Sequence, residues 1–198
     1  MFVTGLVLAA GASRRLGEPK QLLAYRGTTM LGATLDMARS CGFDQLLVTV
    51  GGAWAEVRGR VDFQDCVVVE NQQFTSGCSS SIAAALAVVD DRADGMILLL
   101  GDQPEVTGAA VTTLIESAGE SPLGVCRYLD GVGHPFWFGR QVFDDLHGLH
   151  GDKAVWKLLE SGRYRVHEVE IAGNIPLDVD TWADYQALLA AVGERSNG

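Results

Sequence analysis

Short apolar runs and helical-period stripes alternate along this chain, separated by glycine, proline and small polar residues. Leu6-Val7-Leu8-Ala9-Ala10 is a continuous apolar run, too short to cross a membrane and of the length of a buried strand. Gln21–Tyr25 is a short apolar connection closed by the turn pair Arg26-Gly27. Thr28 or Thr29 can cap a helix whose apolar positions Leu31, Leu35 and Ala38 recur at helical spacing, and Cys41-Gly42 ends it. Gln45–Val50 predicts a second strand, Ala53–Arg60 a brief helix and Cys66–Val69 a third strand. The polar stretch Asn71–Ser81 then leads into an apolar helix over Ile82–Val89. Gly95–Leu100 is nearly all apolar, the pattern of a strand covered on both faces of a parallel sheet, and Gly101-Asp102-Gln103-Pro104 stops it abruptly. A further helix is expected over Val106–Ser117.

Beyond Pro122 the rhythm changes. Leu123–Tyr128 and Val132–Phe138 are strand-like and joined by the hairpin signal Asp130-Gly131. Gln141–Leu146 and Lys153–Glu160 are short helical segments, and Tyr164–Val169 is strand-like. Thr181 caps a terminal helix with Ala183 and Leu188 on its apolar side, and Ser196-Asn197-Gly198 is expected to fray. Strand–helix alternation through residue 120 predicts a doubly wound, mostly parallel sheet with right-handed crossovers, the later hairpin adding an antiparallel edge. The expectation is one three-layer α/β domain over residues 1–198, without repeats, linkers or low-complexity segments.

Composition narrows the function. With 198 residues, 47% of them apolar, the chain can bury a sizeable core, and its formal net charge of −10 argues against nucleic acid or an anionic membrane as partner. Cys41, Cys66, Cys78 and Cys126 form no C-x-x-C pair, which points to reduced thiols rather than a disulfide framework or zinc site. Met1-Phe2-Val3 lacks the basic start of a signal peptide and no apolar run reaches membrane-spanning length, so a cytoplasmic location is expected.

Against that acidic background, positive charge gathers just after the first strand. Gly11, Ser13, Arg14, Arg15, Gly17 and Lys20 follow it directly, combining small residues that allow close backbone approach with three cations. A loop of this kind at the C-terminal end of a first strand is a place to hold a polyphosphate. It is neither a Walker A sequence, since five residues separate Gly11 from Gly17 and Lys20 follows Pro19, nor G-x-G-x-x-G, since Ser13 stands where the second glycine belongs. A tight strand-to-helix turn with solvated arginines is the alternative.

The pattern L-A-A-G-x-S-x-R-x-G-x-x-K resembles the signature of the MobA-like nucleotidyltransferases, specifically the molybdenum cofactor cytidylyltransferase branch. Leu8, Ala9, Ala10, Gly11, Ser13, Arg15, Gly17 and Lys20 stand at its positions. Guanylyl-transferring relatives read Leu-Ala-Gly-Gly there, so Ala10 leans toward CTP, although a nicotine-blue reductase carries a similar loop. The resemblance implies a nucleotide-diphospho-sugar transferase-like, Rossmann-like fold. It also implies transfer of CMP from CTP to a phosphomonoester such as molybdopterin, with release of pyrophosphate, Arg15 and Lys20 being catalytic.

Further motifs join it. Gly101-Asp102-Gln103-Pro104 resembles the family's G-D-[QM]-P, implying that Asp102 holds Mg²⁺ and Gln103 faces the acceptor; read alone, Asp102 could cap the following turn. Asp178-Val179-Asp180-Thr181 resembles D-[IV]-D-T, implying Asp180 as the second metal ligand with Asp178 in reserve, while Asp180-Thr181 alone is an ordinary helix start. Asn71–Ser81 resembles N-x-x-x-x-x-G-[MC]-S-x-S, implying that Asn71 and Gly77 shape the nucleotide pocket and that Ser79 and Ser80 face nucleotide or pterin; alone it is a polar loop with a serine cap. His134-Pro135 resembles G-H-P on the acceptor side, against a histidine that satisfies backbone groups at a strand start. His147 and His150, with Asp152 nearby, have an H-x-x-H look but no third ligand. One departure stands out: the family commonly continues G-D-x-G-A-R, whereas Trp156 occupies the arginine's place, leaving room for an acceptor other than molybdopterin.

The implied partners are a nucleoside triphosphate, a phosphorylated pterin-like acceptor and a molybdoenzyme or its chaperone. Two other readings remain: a non-catalytic carrier of the finished cofactor, and an NAD(P)H-linked reductase, for which no dinucleotide fingerprint is present.

Overall fold

The computed structural model describes residues 1–13, 15–151 and 153–196; Arg14, Asp152 and the expected fraying at Asn197 and Gly198 lie outside them. A seven-stranded sheet organises the chain. Its strands are β1 (Val3–Ala9), β4 (Gln45–Val50), β5 (Val67–Glu70), β6 (Gly95–Leu100), β7 (Leu123–Tyr128), β8 (Gly131–Gly139) and β9 (Val166–Glu170), in the order β5-β4-β1-β6-β8-β7-β9. A two-residue pair, β2 (Ala24–Tyr25) and β3 (Thr28–Thr29), stands apart as a small hairpin. Arg26 and Gly27 turn it with φ of 45° and 81°, the left-handed pair that a tight hairpin turn needs.

All neighbours pair in parallel except β8, which runs against both β6 and β7. The antiparallel element predicted from Asp130-Gly131 therefore lies inside this half of the sheet, and β9, parallel to β7, forms its rim. Chain order moves from β1 outward through β4 to β5 and then returns to β6 on the other side of β1. The switch point lies between β1 and β6, where open α/β sheets leave a crevice outside the strands' carboxyl ends.

Alternation along the strands sorts the core into two layers. On one face Val3, Val7, Val48, Ile97 and Leu99 pack with α1 (Met30–Ser40), α2 (Trp54–Val57) and α4 (Gly108–Ala118). On the other Leu6, Leu47, Met96, Leu98 and Phe136 pack with α3 (Cys78–Leu86), α5 (Phe143–His147) and α6 (Ala154–Glu160). Successive residues point to opposite faces, as a pleated strand requires. A third cluster unites Leu16, Leu23, Tyr25, Met30, Val179 and Leu188, the last on α7 (Trp182–Ser196), and so ties the C-terminal segment to the loop after β1.

Helix boundaries follow local chemistry. Thr29 caps α1 by accepting from the Gly32 N–H at 3.0 Å. Thr181 accepts from the Asp184 N–H at 3.2 Å while Asp184 accepts from the Thr181 N–H at 2.7 Å, a reciprocal capping box at the start of α7. The apolar pattern predicts a start of α3 at Ile82, but the helix begins at Cys78. Serine is a weak helix former, so Ser79–Ser81 read as loop; Gly77, at φ 101°, turns the chain so that they form the first turn instead. Among the described residues no helix is long and apolar enough to cross a membrane.

Candidate active site

Two segments that leave neighbouring strands meet at the switch point. After β1 the chain enters a loop in which Ser13 (φ 49°) and Gly17 (φ 77°) are left-handed, and the Leu16 and Gly17 N–H groups donate to the Ser13 carbonyl at 3.1 and 3.2 Å. A single 3₁₀ turn, Lys20–Leu22, ends the loop and points Lys20 back over it. After β6, Gly101 donates to the Leu8 carbonyl at 2.9 Å and leaves Asp102 at the sheet edge beside the β1 loop.

The third contributor comes from the far end of the chain. The Val179 N–H donates to the Asp102 carbonyl at 3.2 Å, and the Gln103 side-chain amide donates to the Pro176 carbonyl at 3.1 Å. These bonds, with buried Val179 beneath, zip Pro176–Asp180 onto the loop after β6. Lys20 Nζ donates to Asp102 Oδ2 and to Asp180 Oδ1, the latter at 2.9 Å, and Arg15 donates to Asp180 Oδ2 at 2.8 Å. The two carboxylates therefore converge on one positive charge.

Electrostatics follow from that convergence. Burial works against the Lys20 charge, but Asp102 and then Asp180 outweigh it and hold the ammonium above its ordinary pKa. For Asp180 burial is likewise opposed, here by Lys20 and Arg15, and the carboxyl stands below its usual value. Asp178 behaves oppositely: partial desolvation of its carboxyl, then the Asp102 and Asp180 carboxylates, push it up to about 6. Arg15 is 69% exposed, so its ion pair adds little stability on its own and stays free to serve a ligand.

Beside this cluster lies a cleft of about 380 Å³ lined by Gly11, Ala12, Ser13, Arg15, Lys20 and Asp180 on one side and by Phe74, Thr75 and Gly77 on the other. Gly51 lets the Phe74 side chain pack close to the Ala10 carbonyl, since a Cβ there would strike both. A basic wall facing a small, partly apolar wall can hold an anion at one end and a flat ring at the other.

The sequence candidates separate here. Gly11, Ser13, Arg15, Lys20, Gly77 and Asp180 line the cleft, and Asp102 reaches it through Lys20. Leu8, Ala9 and Ala10 do not line it: Ala9 and Ala10 are buried, and Leu8 is partly buried against the core. Asn71 is turned inward, its amide donating to Ser80 Oγ at 2.8 Å and Ser81 Oγ at 3.0 Å while its Oδ1 accepts from the Gln73 N–H at 2.8 Å. Ser80 Oγ lies 2.8 Å from the Gly77 carbonyl, and Ser79 is buried. Asn71 and Ser80 brace the loop that carries Phe74 and Thr75, and none of the three lines the cleft.

Gln103 is also buried, and its Oε1 has no partner among the described residues. Register places His134 at the end of the sheet where β6 runs out, since Leu98 pairs with Phe136. The His134 carbonyl accepts from Tyr128 at 2.7 Å, its ring stacks on Phe136 with centroids 4.2 Å apart, and burial pushes its pKa well below the usual imidazole range. Phe136 in turn meets the half-exposed Trp156 edge-on at 5.3 Å. His147 lines a separate hollow with Arg140 and Asp144, and Asp152 lies outside the described residues. Among the described residues no three His, Cys, Asp or Glu side chains form a metal-holding group.

Sequence reasoning missed Phe74, Thr75 and above all Gln21. Gln21 heads the apolar segment before Leu22-Leu23, and a lone amide entering a buried run was the available signal.

The sequence model of the MobA-like NTP transferase domain matches residues 5–169. The chain belongs to this family. A manganese complex of Rv0371C from Mycobacterium tuberculosis H37Rv superimposes with a TM-score of 0.86 at 52% identity, over 96% of this chain and 99% of that one. The purine catabolism protein PucB of Bacillus subtilis is 29% identical over 96% of this chain and 98% of its own length. The nicotine blue oxidoreductase of Paenarthrobacter nicotinovorans is 34% identical over 67% of this chain and 69% of its own. The MobA-like match spans both the β1 loop and Asp102, and ends before Asp178 and Asp180. Asp180 reaches the cleft because the chain's own hydrogen bonds hold Pro176–Asp180 on the loop after β6.

Proposed function

We propose that this MobA-like NTP transferase acts as a single domain that moves CMP from CTP onto a phosphomonoester acceptor of the molybdopterin kind. The observation that carries the reading is the meeting of Lys20, Asp102 and Asp180 beside a cleft bordered by Arg15 and the Gly11–Ser13 backbone. In the reaction an oxygen of the acceptor phosphate attacks the α-phosphorus, the α–β bridging bond breaks and pyrophosphate leaves. The acceptor's second pKa is about 6, so the nucleophile is already ionised near neutral pH and no general base is required. The site's work is alignment and charge neutralisation. Lys20, kept protonated by its two aspartates, and the exposed Arg15 serve the triphosphate and leaving group.

A divalent cation fits the donor set. Asp102 and Asp180 offer hard carboxylate oxygens already gathered around one positive charge, and Mg²⁺ is commonly held by one or two carboxylates plus substrate phosphates. Mg²⁺ held there would supply further neutralisation to the reacting phosphates. His134, with its pKa depressed, is a neutral imidazole near pH 7 and suits hydrogen bonding to an acceptor rather than charge pairing.

A thermal-shift panel of the four nucleoside triphosphates with Mg²⁺ tests the reading, because a ligand that binds the native state raises its melting point. CTP is expected to give the largest shift. A uniform absence of shifts contradicts the proposal, and loss of NADPH absorbance with a quinonoid substrate would replace it by a reductase.

A further inference from the structure

The loop after β1 rests on a buried amide that the mechanism above does not use. Gln21 is 3% exposed and follows Lys20 directly. Its Nε2 donates to the carbonyl oxygens of Ala9 at 2.8 Å and of Gly11 at 2.9 Å, and its Oε1 lies 3.5 Å from Ser13 Oγ. Ser13 Oγ in turn accepts from the Lys20 N–H at 2.9 Å, so one residue pair closes the loop upon itself. Both amide hydrogens of Gln21 are thus committed to the same short stretch of backbone.

That commitment has a directional consequence. A trans peptide is planar, so when the Gly11 C=O is drawn toward Gln21 the Ala12 N–H on the same peptide projects the opposite way. Gly11, Ala12 and Ser13 line the cleft, and among the described residues neither the Ala12 nor the Ser13 N–H has a protein acceptor. Ser13 is left-handed, and successive N–H groups around such a residue form an anion-binding concavity.

We propose that Gln21 is the positioning residue that makes this loop a polyphosphate cradle. By taking the Ala9 and Gly11 carbonyl oxygens to itself, it removes two partial negative charges from the anion's side and leaves N–H groups there. It touches no substrate. The inference rests on the nucleotide reading above and adds a specific prediction to it: the contribution of Gln21 scales with the number of phosphates and is indifferent to the base.

The test is calorimetric affinity for CTP and CMP, with Mg²⁺, in wild type, Gln21→Met and Gln21→Glu. Met fills the volume without donors, and Glu sets a carboxylate against two carbonyl oxygens. CTP affinity is expected to fall at least about tenfold in both, as loss of buried hydrogen bonds implies, with CMP affinity changing less than about threefold. Equal losses for both nucleotides, or retained CTP affinity in a folded variant, overturn the proposal. Amide NMR of the wild type gives a reading that no folding defect can spoil: pyrophosphate should shift the Ala12 and Ser13 amides and the Gln21 side-chain amide. Pyrophosphate binding that leaves all three unmoved overturns it as well. A wild type that binds none of the four triphosphates overturns the nucleotide reading itself, and this inference with it.

Discussion

Lys20 and Asp180, 160 residues apart in the chain, are joined by a 2.9 Å hydrogen bond from Nζ to Oδ1, and the same Nζ reaches Asp102. The lysine therefore occupies the point on which two carboxylates converge, the position the proposed cation would share. Binding of metal and nucleotide would move Lys20 from the aspartates toward phosphate, exchanging one set of opposite charges for another.

This arrangement makes metal affinity in the absence of nucleotide a readout of Lys20. In Lys20→Met the two carboxylates lose their internal cation, and Mn²⁺ measured by paramagnetic resonance should bind at least about tenfold more tightly than to wild type, as expected when a competing charge is removed. Asp102→Ala should weaken Mn²⁺ binding instead. Equal Mn²⁺ affinity in wild type and Lys20→Met would show that the cation goes elsewhere.

Asp178 gives a pH dependence of definite sign. Its folded pKa of about 6 lies above the ordinary carboxyl value of 3.8, so the folded state holds this proton more tightly and stability falls as pH rises between those values. Asp178→Asn removes the charge that Asp102 and Asp180 oppose. In metal-free buffer its melting temperature should match wild type near pH 3.5 and exceed it at pH 7. A variant less stable than wild type at pH 7 contradicts the assignment.

Thr181 holds the start of α7, and with it the segment that delivers Asp180. Thr181→Ala should cost about 1 kcal/mol in denaturant unfolding, the usual penalty for losing an N-cap. Arg15→Ala removes an exposed ion pair and should change stability by less than about 1 kcal/mol while weakening triphosphate binding. A larger stability loss for Arg15→Ala than for Thr181→Ala would reverse the roles given to the two residues.

Much of the fold was legible because it is written in periodicity. Gln45–Val50 and Gly95–Leu100 are strands over the full ranges that their apolar runs predict, since strands buried on both faces leave an unbroken signal. The start of α3 was not, because its first turn is made of residues that favour loops and only the backbone of Gly77 decides the matter. In the site, charged residues with a motif around them stood out: Arg15, Lys20, Asp102 and Asp180 come together from three distant segments. Asn71 and Ser80 carried the same kind of motif yet spend their polar groups on each other, which depends on three-dimensional register. Gln21 escaped notice for the converse reason: its role is made by backbone carbonyls that no side-chain pattern encodes.

The most direct measurement is pyrophosphate release from Mg-CTP with molybdopterin as acceptor, comparing wild type with Lys20→Ala and Asp102→Ala. Wild type should release pyrophosphate as the acceptor gains CMP, and each variant, still folded by circular dichroism, should be slower by at least about a hundredfold, in line with loss of a charge-stabilising group. Near-normal release by either variant, or a wild type that binds CTP and molybdopterin yet frees no pyrophosphate, would contradict the account.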